Sequence, residues 1–106
     1  MSYPPDGAPV RAADRDALRL ADGEIAWGAL AAIDVVTSAD GPFVEDVWFT
    51  FAAAHGRRAW AGHERAGELG LVDRLLALPG FDHERFIDAM ASSADATFPV
   101  WRAPGA

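Results

Sequence analysis

Three carboxylates gather in one short stretch, TSADGPFVEDVWF, which starts at Thr37. Asp40, Glu45 and Asp46 supply the oxygen ligands that calcium and magnesium prefer. The spacing does not fit an EF-hand, because with Gly41 as the central glycine both terminal ligand positions fall on valines. In the alternative, Asp-Gly-Pro forms a turn and the carboxylates are solvated or pair with arginines. We predict this second arrangement, and therefore no metal site here.

The histidines offer a second route to metal chemistry. His63 and His83 stand near predicted helix starts, and together with Glu64 they include ligand types that zinc uses. These three residues would meet only if both helix starts lie at one end of a sheet, and no HExxH spacing is present. Surface histidines are the simpler interpretation, so we predict no metal and no cofactor.

Residues for covalent catalysis are scarce. The chain has no cysteine, and none of its serines lies in a G-x-S-x-G turn. Gly67 and Gly70 precede a helical pattern but lack the strand, the lysine and the spacing of a phosphate-binding loop. No catalytic residue is predicted, and an enzyme is the less favoured class.

The segment 38–46 is better interpreted as a contact surface. It is longer than the two to five residues usual in a hairpin loop, and long ordered loops often carry binding functions. The predicted partner-binding residues are Asp40, Phe43, Glu45, Asp46 and Trp48. The alternative is a structural clamp, in which Phe43 folds back onto the core.

The tryptophans divide between core and surface. Strand alternation predicts that Trp27 and Trp60 are core residues. Trp48 points away from the phenylalanines of its own strand, so it lies either under the helices or in solvent, and burial under the helices is favoured. If it is exposed, Trp48 and Trp101 would mark a binding or dimer surface, because tryptophan is enriched at interface hot spots.

A run of five strands is predicted to position these residues. Asp22–Gly23 is a type I′ turn signal that centres the first hairpin and pairs Leu20 with Ile25. A tight turn at His55–Gly56 pairs Phe51 with Trp60. Alternation and β-branched or aromatic residues place the strands at Arg15–Leu20, Glu24–Trp27, Ile33–Thr37, Val47–Ala53 and Arg58–Gly62.

Helical patterns follow these strands. An apolar stripe predicts a helix from Glu64 to Leu78, which Pro79–Gly80 stops. Gly67 and Gly70 weaken its first turns, so a start nearer Gly70 is the alternative. A second helix begins after Asp82 as N-cap, with a hydrophobic staple, and Phe86, Ile87 and Met90 form its apolar stripe. Ala96–Trp101 is predicted as an edge strand, since Pro99 cannot donate to a ladder. The predicted fold is α+β, with an antiparallel sheet of about five to six strands and the helices on one face.

Composition and charge restrict the class of protein. The net charge is −7 and all nine basic residues are arginine, so nucleic acid and anionic membranes are unfavourable partners. Solubility explains the charge most simply, and a basic partner is the alternative. No apolar run is long enough for a membrane span and no signal peptide is recognisable, so a cytoplasmic location is expected. The expected organisation is one domain over residues 14–102, with flexible tails at 1–13 and 103–106.

Two sets of residues resemble known proteins. The segments DGPFVEDVW and LPGFDHE, with a terminal aromatic strand ending in Trp-Arg, resemble small bacterial proteins that share DGPF-x-ED-x-W and LPGFD-x-E, from about Leu20 to Arg102. Those proteins have no assigned activity, so the resemblance implies only a small soluble bacterial domain. The rhythm of Trp27, Leu30, Ile33 and Val35 resembles the early strands of bacterial pleckstrin-homology-like domains. The two helices and final strand depart from that fold.

These observations favour a non-enzymatic protein-binding or regulatory module. A compact acidic domain suits an immunity or inhibitor protein that caps a basic toxin, or a module that self-associates. The alternative is a small-ligand-binding domain or an enzyme that uses a cavity between sheet and helices. A buried polar cavity of about 300 Å³ or more would favour the ligand, and a flat aromatic-acidic patch would favour a protein partner.

Overall fold

A computed structural model describes residues 7–37, 47–92 and 95–103. These residues form strands in two sheets together with three α-helices, which confirms the α+β class. The helices are α1 (His63–Glu68), α2 (Leu71–Leu76) and α3 (His83–Ala91). The strands are β1 (Ala8–Pro9), β2 (Ala12–Ala13), β3 (Ala17–Leu20), β4 (Gly23–Ala26), β5 (Leu30–Thr37), β6 (Val47–Ala53), β7 (Arg58–Gly62) and β8 (Ala96–Arg102).

The larger sheet has five strands in the order β1-β7-β6-β5-β8. Its β5, β6, β7 and β8 pairings are antiparallel, but β1 runs parallel to β7, so the sheet is mixed and not purely antiparallel. The predicted N-terminal hairpin lies outside it, in a separate sheet of order β2-β3-β4. A 3-10 turn at Trp27–Ala29 separates β4 from β5.

The segment expected to be a flexible N-terminal tail contributes two of these strands. Ala8 pairs with Ala59 at the edge of the larger sheet, and Ala13 pairs with Leu18 in the smaller one. Val10 between them is buried. The expectation of a tail is therefore wrong for residues 8–13, because this segment links both sheets.

The hairpin register differs from the predicted one by two positions. Ile25 pairs with Leu18, and Leu20 pairs with Gly23, where the prediction paired Leu20 with Ile25. Because side chains alternate with a period of two, a shift of two residues keeps every side chain on its face. The two leucines and Ile25 are consequently all buried, as their pattern indicates.

The hydrophobic core lies between the larger sheet and the helices. The rings of Phe49 on β6 and Phe86 on α3 stack with centroids 6.2 Å apart. Leu71 and Leu75 of α2 are also buried in this layer. The strands contribute the buried residues Ile33, Val35, Thr37, Phe49, Phe51, Ala59 and Ala61.

The single helix predicted over Glu64–Leu78 is divided at Gly70. Gly70 has a φ of 69°, in the left-handed region, which ends α1 and starts α2 in a new direction. The start of α3 is as predicted, because the Asp82 side chain accepts a hydrogen bond of 3.0 Å from the Arg85 amide. Ile87, predicted in the apolar stripe of α3, is instead 65% exposed.

The last strand, β8, lies at the edge of the sheet, as Pro99 predicts. A bulge opposite Ile33–Asp34 interrupts its alternation, so that Val100 and Trp101 are both buried. The Trp101 indole donates to the Pro79 carbonyl at 2.9 Å, and the Asp82 amide donates to the Val100 carbonyl at 2.7 Å. Of the helices in the described ranges, none has the length and apolar character needed to cross a membrane.

Candidate functional site

The helices cover one face of the larger sheet, and the residues on its other face are half-buried or exposed. We call this second surface the open face. Its members alternate with the core residues along β5, β6, β7 and β8, and they lie on the side of the sheet away from the stacked rings of Phe49 and Phe86. They are Asp34, Val36, Trp48, Thr50, Arg58, Trp60, Pro99 and Arg102.

Trp60 lies on the open face because of the loop before β7. Trp60 pairs with Thr50, and Phe51 pairs with Ala59, whereas the prediction placed Trp60 opposite Phe51 in the core. A register shift of one residue moves a side chain to the opposite face. The Ala53 amide donates to the Arg57 carbonyl, so the turn between them has three loop residues and not two. The core assignment of Trp60 is therefore wrong.

Trp48 also lies on the open face, so its predicted burial under the helices is wrong. Its ring meets that of Trp60 edge to face, with centroids 5.3 Å apart and planes at 71°. Trp101, the predicted companion of Trp48 on an exposed surface, is buried near Pro79. The aromatic pair on this surface is therefore Trp48 and Trp60.

Strand β1 forms a wall beside this pair. The Val10 amide donates to the Trp60 carbonyl at 2.8 Å, and the Trp60 indole donates to the Gly7 carbonyl at 3.2 Å. Gly7 has a φ of 109°, and a Cβ atom there would lie 2.6 Å from the Arg58 carbonyl oxygen. Only glycine allows β1 to approach β7 this closely.

A groove of about 400 Å³ lies between this wall, the tryptophan pair and α1. Its sides include Pro9, Trp48 and Trp60, and two arginines flank it. Arg65 on α1 donates to the Arg11 carbonyl at 3.3 Å, which ties α1 to the segment after β1. The groove therefore combines apolar and aromatic walls with guanidinium groups.

The charges at the open face differ in sign from the chain as a whole. Arg58 and Arg102 lie on its strands, and the Arg102 guanidinium bonds to Asp34 at 2.8 Å. Arg11 and Arg58 form no ion pair with any described carboxylate. Counting only the described residues, four guanidinium groups with Arg65 included lie here, against Asp34 and a glutamate 3.8 Å from Arg65, in a chain whose net charge is −7.

The predicted partner-binding residues are only partly visible. Asp40, Phe43, Glu45 and Asp46 lie outside the described residues, so their role in binding stays a prediction. Trp48 lies on the open face. The sequence did not indicate Trp60 or the groove arginines, since their grouping depends on the register of β7 and on β1.

His63 and His83 make separate contacts and do not meet. The His63 ring stacks on Phe49 with centroids 6.3 Å apart, and His83 Nε2 lies 3.0 Å from the Leu76 carbonyl oxygen. Over residues 7–37, 47–92 and 95–103, no three side chains of metal-ligating types gather into a site. The zinc arrangement of His63, Glu64 and His83 is therefore not formed.

The largest pKa shift among the described carboxyls belongs to a turn. The pKa of Asp14 is lowered from 3.8 to about 2, mainly because Arg19 donates a hydrogen bond to its carboxylate. The amides of Asp16 and Ala17 also donate to it, at 2.9 and 3.0 Å. The Asp14 carbonyl in turn accepts from the Trp27 indole at 2.7 Å. These contacts fix the start of β3, so the shift reflects structure and not acid–base catalysis.

The open face can bind, through apolar contact, aromatic contact and charge. It brings together no nucleophile and general base within hydrogen-bond reach among the described residues, and such a pair is what covalent catalysis requires. Comparison of the chain with protein-family models, with curated proteins and with solved structures found no match.

Proposed function

We propose that this chain is a non-enzymatic binding module that docks a partner protein on the open face of its larger sheet. The observation that carries this proposal is the half-buried Trp48–Trp60 pair, which lies on the side of the sheet away from the Phe49 core. Tryptophan and arginine are the residues most enriched at the energetic centres of protein interfaces. Both types are concentrated here, at a site where the core does not need them.

The edges of the sheet are less suitable for a partner than its face. β1 is only two residues long, and Pro99 in β8 has no amide hydrogen to give to an added strand. The Val100 carbonyl on β8 already accepts from Asp82. Binding by strand addition needs a row of free backbone groups, so contact through side chains of the face is favoured.

The proposal includes a regulatory or inhibitory role in the cytoplasm. A binding module of this size acts by covering or positioning its partner. The fold supports this role because the face is presented by β5, β6 and β7 of a packed sheet, and sites on rigid strands hold their geometry better than sites on loops.

The test is a paired co-purification from the source cells. A tagged chain carrying Trp48→Ala and Trp60→Ala is compared with the parent chain and with Ile87→Ala, which removes an exposed apolar side chain from α3. We expect a protein that the parent and Ile87→Ala retain and that the double variant loses by at least about tenfold. Melting curves check that all three are folded. Retention of the same proteins by the double variant would contradict the proposal.

A small ligand in the groove is the second candidate. Its volume of about 400 Å³ lies within the range of small-molecule sites, roughly 300–1,000 Å³. The groove opens on the open face, however, and does not lie between sheet and helices, where the sequence placed a cavity. A planar aromatic acid that raises the melting temperature of the parent chain, but not of Trp60→Ala, would favour this candidate.

A further inference from the structure

We infer that the partner presents an acidic segment with one large apolar side chain, which enters the groove beside Trp48 and Trp60 while neighbouring carboxylates meet Arg11 and Arg65. This inference rests on the proposed function and names the chemistry of the partner. It follows from the charge of the open face, from the shape of the groove and from the hydrogen bonds that hold its arginines.

The arginines at the groove have unused donor capacity. Arg11 has no ion pair with a described carboxylate, and Arg65 has only a contact of 3.8 Å within its own helix. A guanidinium presents donors in a planar fork that matches a carboxylate. Arg19, Arg57 and Arg85 elsewhere are already paired with acidic residues. Arg15 and Arg74 also form no ion pair with a described carboxylate, but they lie outside this groove. Arg11 and Arg65 are the arginines that line the groove beside the tryptophan pair, so cations and aromatic rings meet there.

Because part of the groove is apolar, carboxylates alone would not use all of its contacts, and tight binding also requires an apolar side chain. Trp48, Trp60 and Pro9 line the same groove, which gives it an apolar wall that an apolar or aromatic side chain in the groove can contact. Because aromatic contacts and charge pairs lie in the same groove, an acidic segment with an apolar anchor uses both. An acidic segment without the anchor uses only the arginines and binds more weakly.

A second copy of this chain is a poor occupant of the open face. A two-fold interface would place the same patch against itself. It would then oppose Arg11, Arg58 and Arg65 to their own copies, and like charges brought together oppose association. The short strand β1 and Pro99 also give no edge for pairing between copies.

The net charge of −7 also affects the direction from which an acidic partner approaches this chain. An acidic partner is repelled by most of the acidic chain and attracted at the open face, so it approaches through that face. From the composition alone, a basic partner was the alternative to solubility as the explanation of the net charge. The grouping of arginines on one face reverses that expectation for this site.

The test uses the indole N–H signals of the four tryptophans in ¹⁵N-labelled protein. Trp27 and Trp101 serve as internal controls, because their indoles donate to the Asp14 and Pro79 carbonyls, away from the groove. Three unlabelled peptides are titrated: acetyl-Gly-Asp-Glu-Phe-Glu-Asp-Gly-amide, a variant with Ala for Phe, and a variant with Lys at every acidic position.

We expect the acidic Phe peptide to shift the Trp48 and Trp60 signals with a Kd in the range of about 0.1–1 mM. The Ala and Lys variants should bind at least about tenfold more weakly. Arg11→Gln with Arg65→Gln should lower the affinity for the acidic peptide by about tenfold. Arg74→Gln, an exposed arginine of α2 outside this groove, should leave it unchanged.

The outcomes separate this inference from the proposed function. Tighter binding of the Lys peptide at Trp48 and Trp60 overturns the acidic partner but keeps the docking face. No shift of these two signals with any peptide overturns both. A shift confined to the Trp27 signal would show that the peptide binds elsewhere on the chain, which overturns the groove as the binding site.

Two further outcomes assign the groove to other occupants. If the Trp48 and Trp60 signals move on dilution of the protein alone, the occupant is a second copy. If they move, without peptide, in the variant Asp40→Ala, Glu45→Ala, Asp46→Ala, the occupant is segment 38–46 of the same chain. Either result overturns the external acidic partner.

Discussion

Trp60 shows how much can depend on one residue of loop length. The alternation of Val47–Ala53 correctly predicted that Phe49 and Phe51 enter the core. The face on which each side chain of β7 lies depends on whether the turn at His55–Gly56 has two or three loop residues. Both turns place Gly where a positive φ is needed, so the sequence does not distinguish them. The alternating alanines of β7 fit either face. The sequence therefore predicted the strand but not the face on which Trp60 lies.

The pKa of Asp14 makes one residue-scale prediction. Its folded pKa of about 2 lies below its ordinary value of 3.8, so the stability that its charge contributes is present above the ordinary value and is lost as the pH falls through about 2. Asp14→Asn should lower the melting temperature at pH 7. This deficit should shrink between pH 4 and pH 2, as the parent chain loses the same charge. Melting curves of both proteins across this range measure it.

The control for this experiment is Asp88→Asn. Asp88 is an exposed residue of α3 without an ion pair among the described residues, so its substitution should leave no deficit that disappears in the same window. A deficit for Asp14→Asn that stays constant down to pH 2 would show that the carboxylate charge, with its hydrogen bond from Arg19, does not stabilise the start of β3.

At the scale of elements, two glycines of neighbouring helices should respond oppositely to the same substitution. Gly67 lies inside α1 without a positive φ, and a Cβ atom there meets nothing within 4 Å. Gly67→Ala should raise the free energy of unfolding by about 0.5–1 kcal/mol. Gly70 has a φ of 69°, so Gly70→Ala should lower it by about 1–2 kcal/mol.

Urea unfolding of the two variants and the parent chain measures both effects. Each substitution adds the same methyl group at an exposed position, so the pair controls for side-chain size. Equal effects for Gly67→Ala and Gly70→Ala would show that the break between α1 and α2 does not depend on the left-handed conformation of Gly70.

Element types were predictable, but the places where elements divide or join were not. Asp82 and Pro99 act through local rules of capping and strand pairing, so the start of α3 and the edge position of β8 followed from the sequence. The separation of the hairpin sheet depends on long-range packing. So does the pairing of β1, because Ala8–Pro9 carries no apolar period that would indicate a strand.

For the whole molecule, the two sheets should unfold together. Leu18 and Ile25 of the smaller sheet belong to the same buried cluster as Ile33 and Phe49 of the larger one. A continuous core makes loss of either sheet costly for the other, which favours a single cooperative transition. The far-UV circular dichroism melt should therefore superimpose on the loss of the Trp27 indole signal. Earlier loss of that signal would show that the hairpin sheet is an independent unit.

The candidate site was partly predictable on this scale. Trp48 was selected because its alternation set it apart from the core phenylalanines. The arginines could not be predicted from the sequence. Arg11 is far in sequence from Arg58 and Arg65, and the three come together only through the pairing of β1 with β7 and the start of α1. Net charge is a property of the whole chain and carries no information about where opposite charges gather.

The parallel pairing of β1 with β7 has a consequence for protein synthesis. The Gly7 carbonyl and the Trp60 indole that it accepts from are 53 residues apart. On the ribosome, β1 is made before β7, so the wall of the groove cannot close until β7 has also left the exit tunnel. A partner that recognises this groove would therefore distinguish chains in which β7 has emerged from shorter nascent chains, and would leave the shorter chains free to fold.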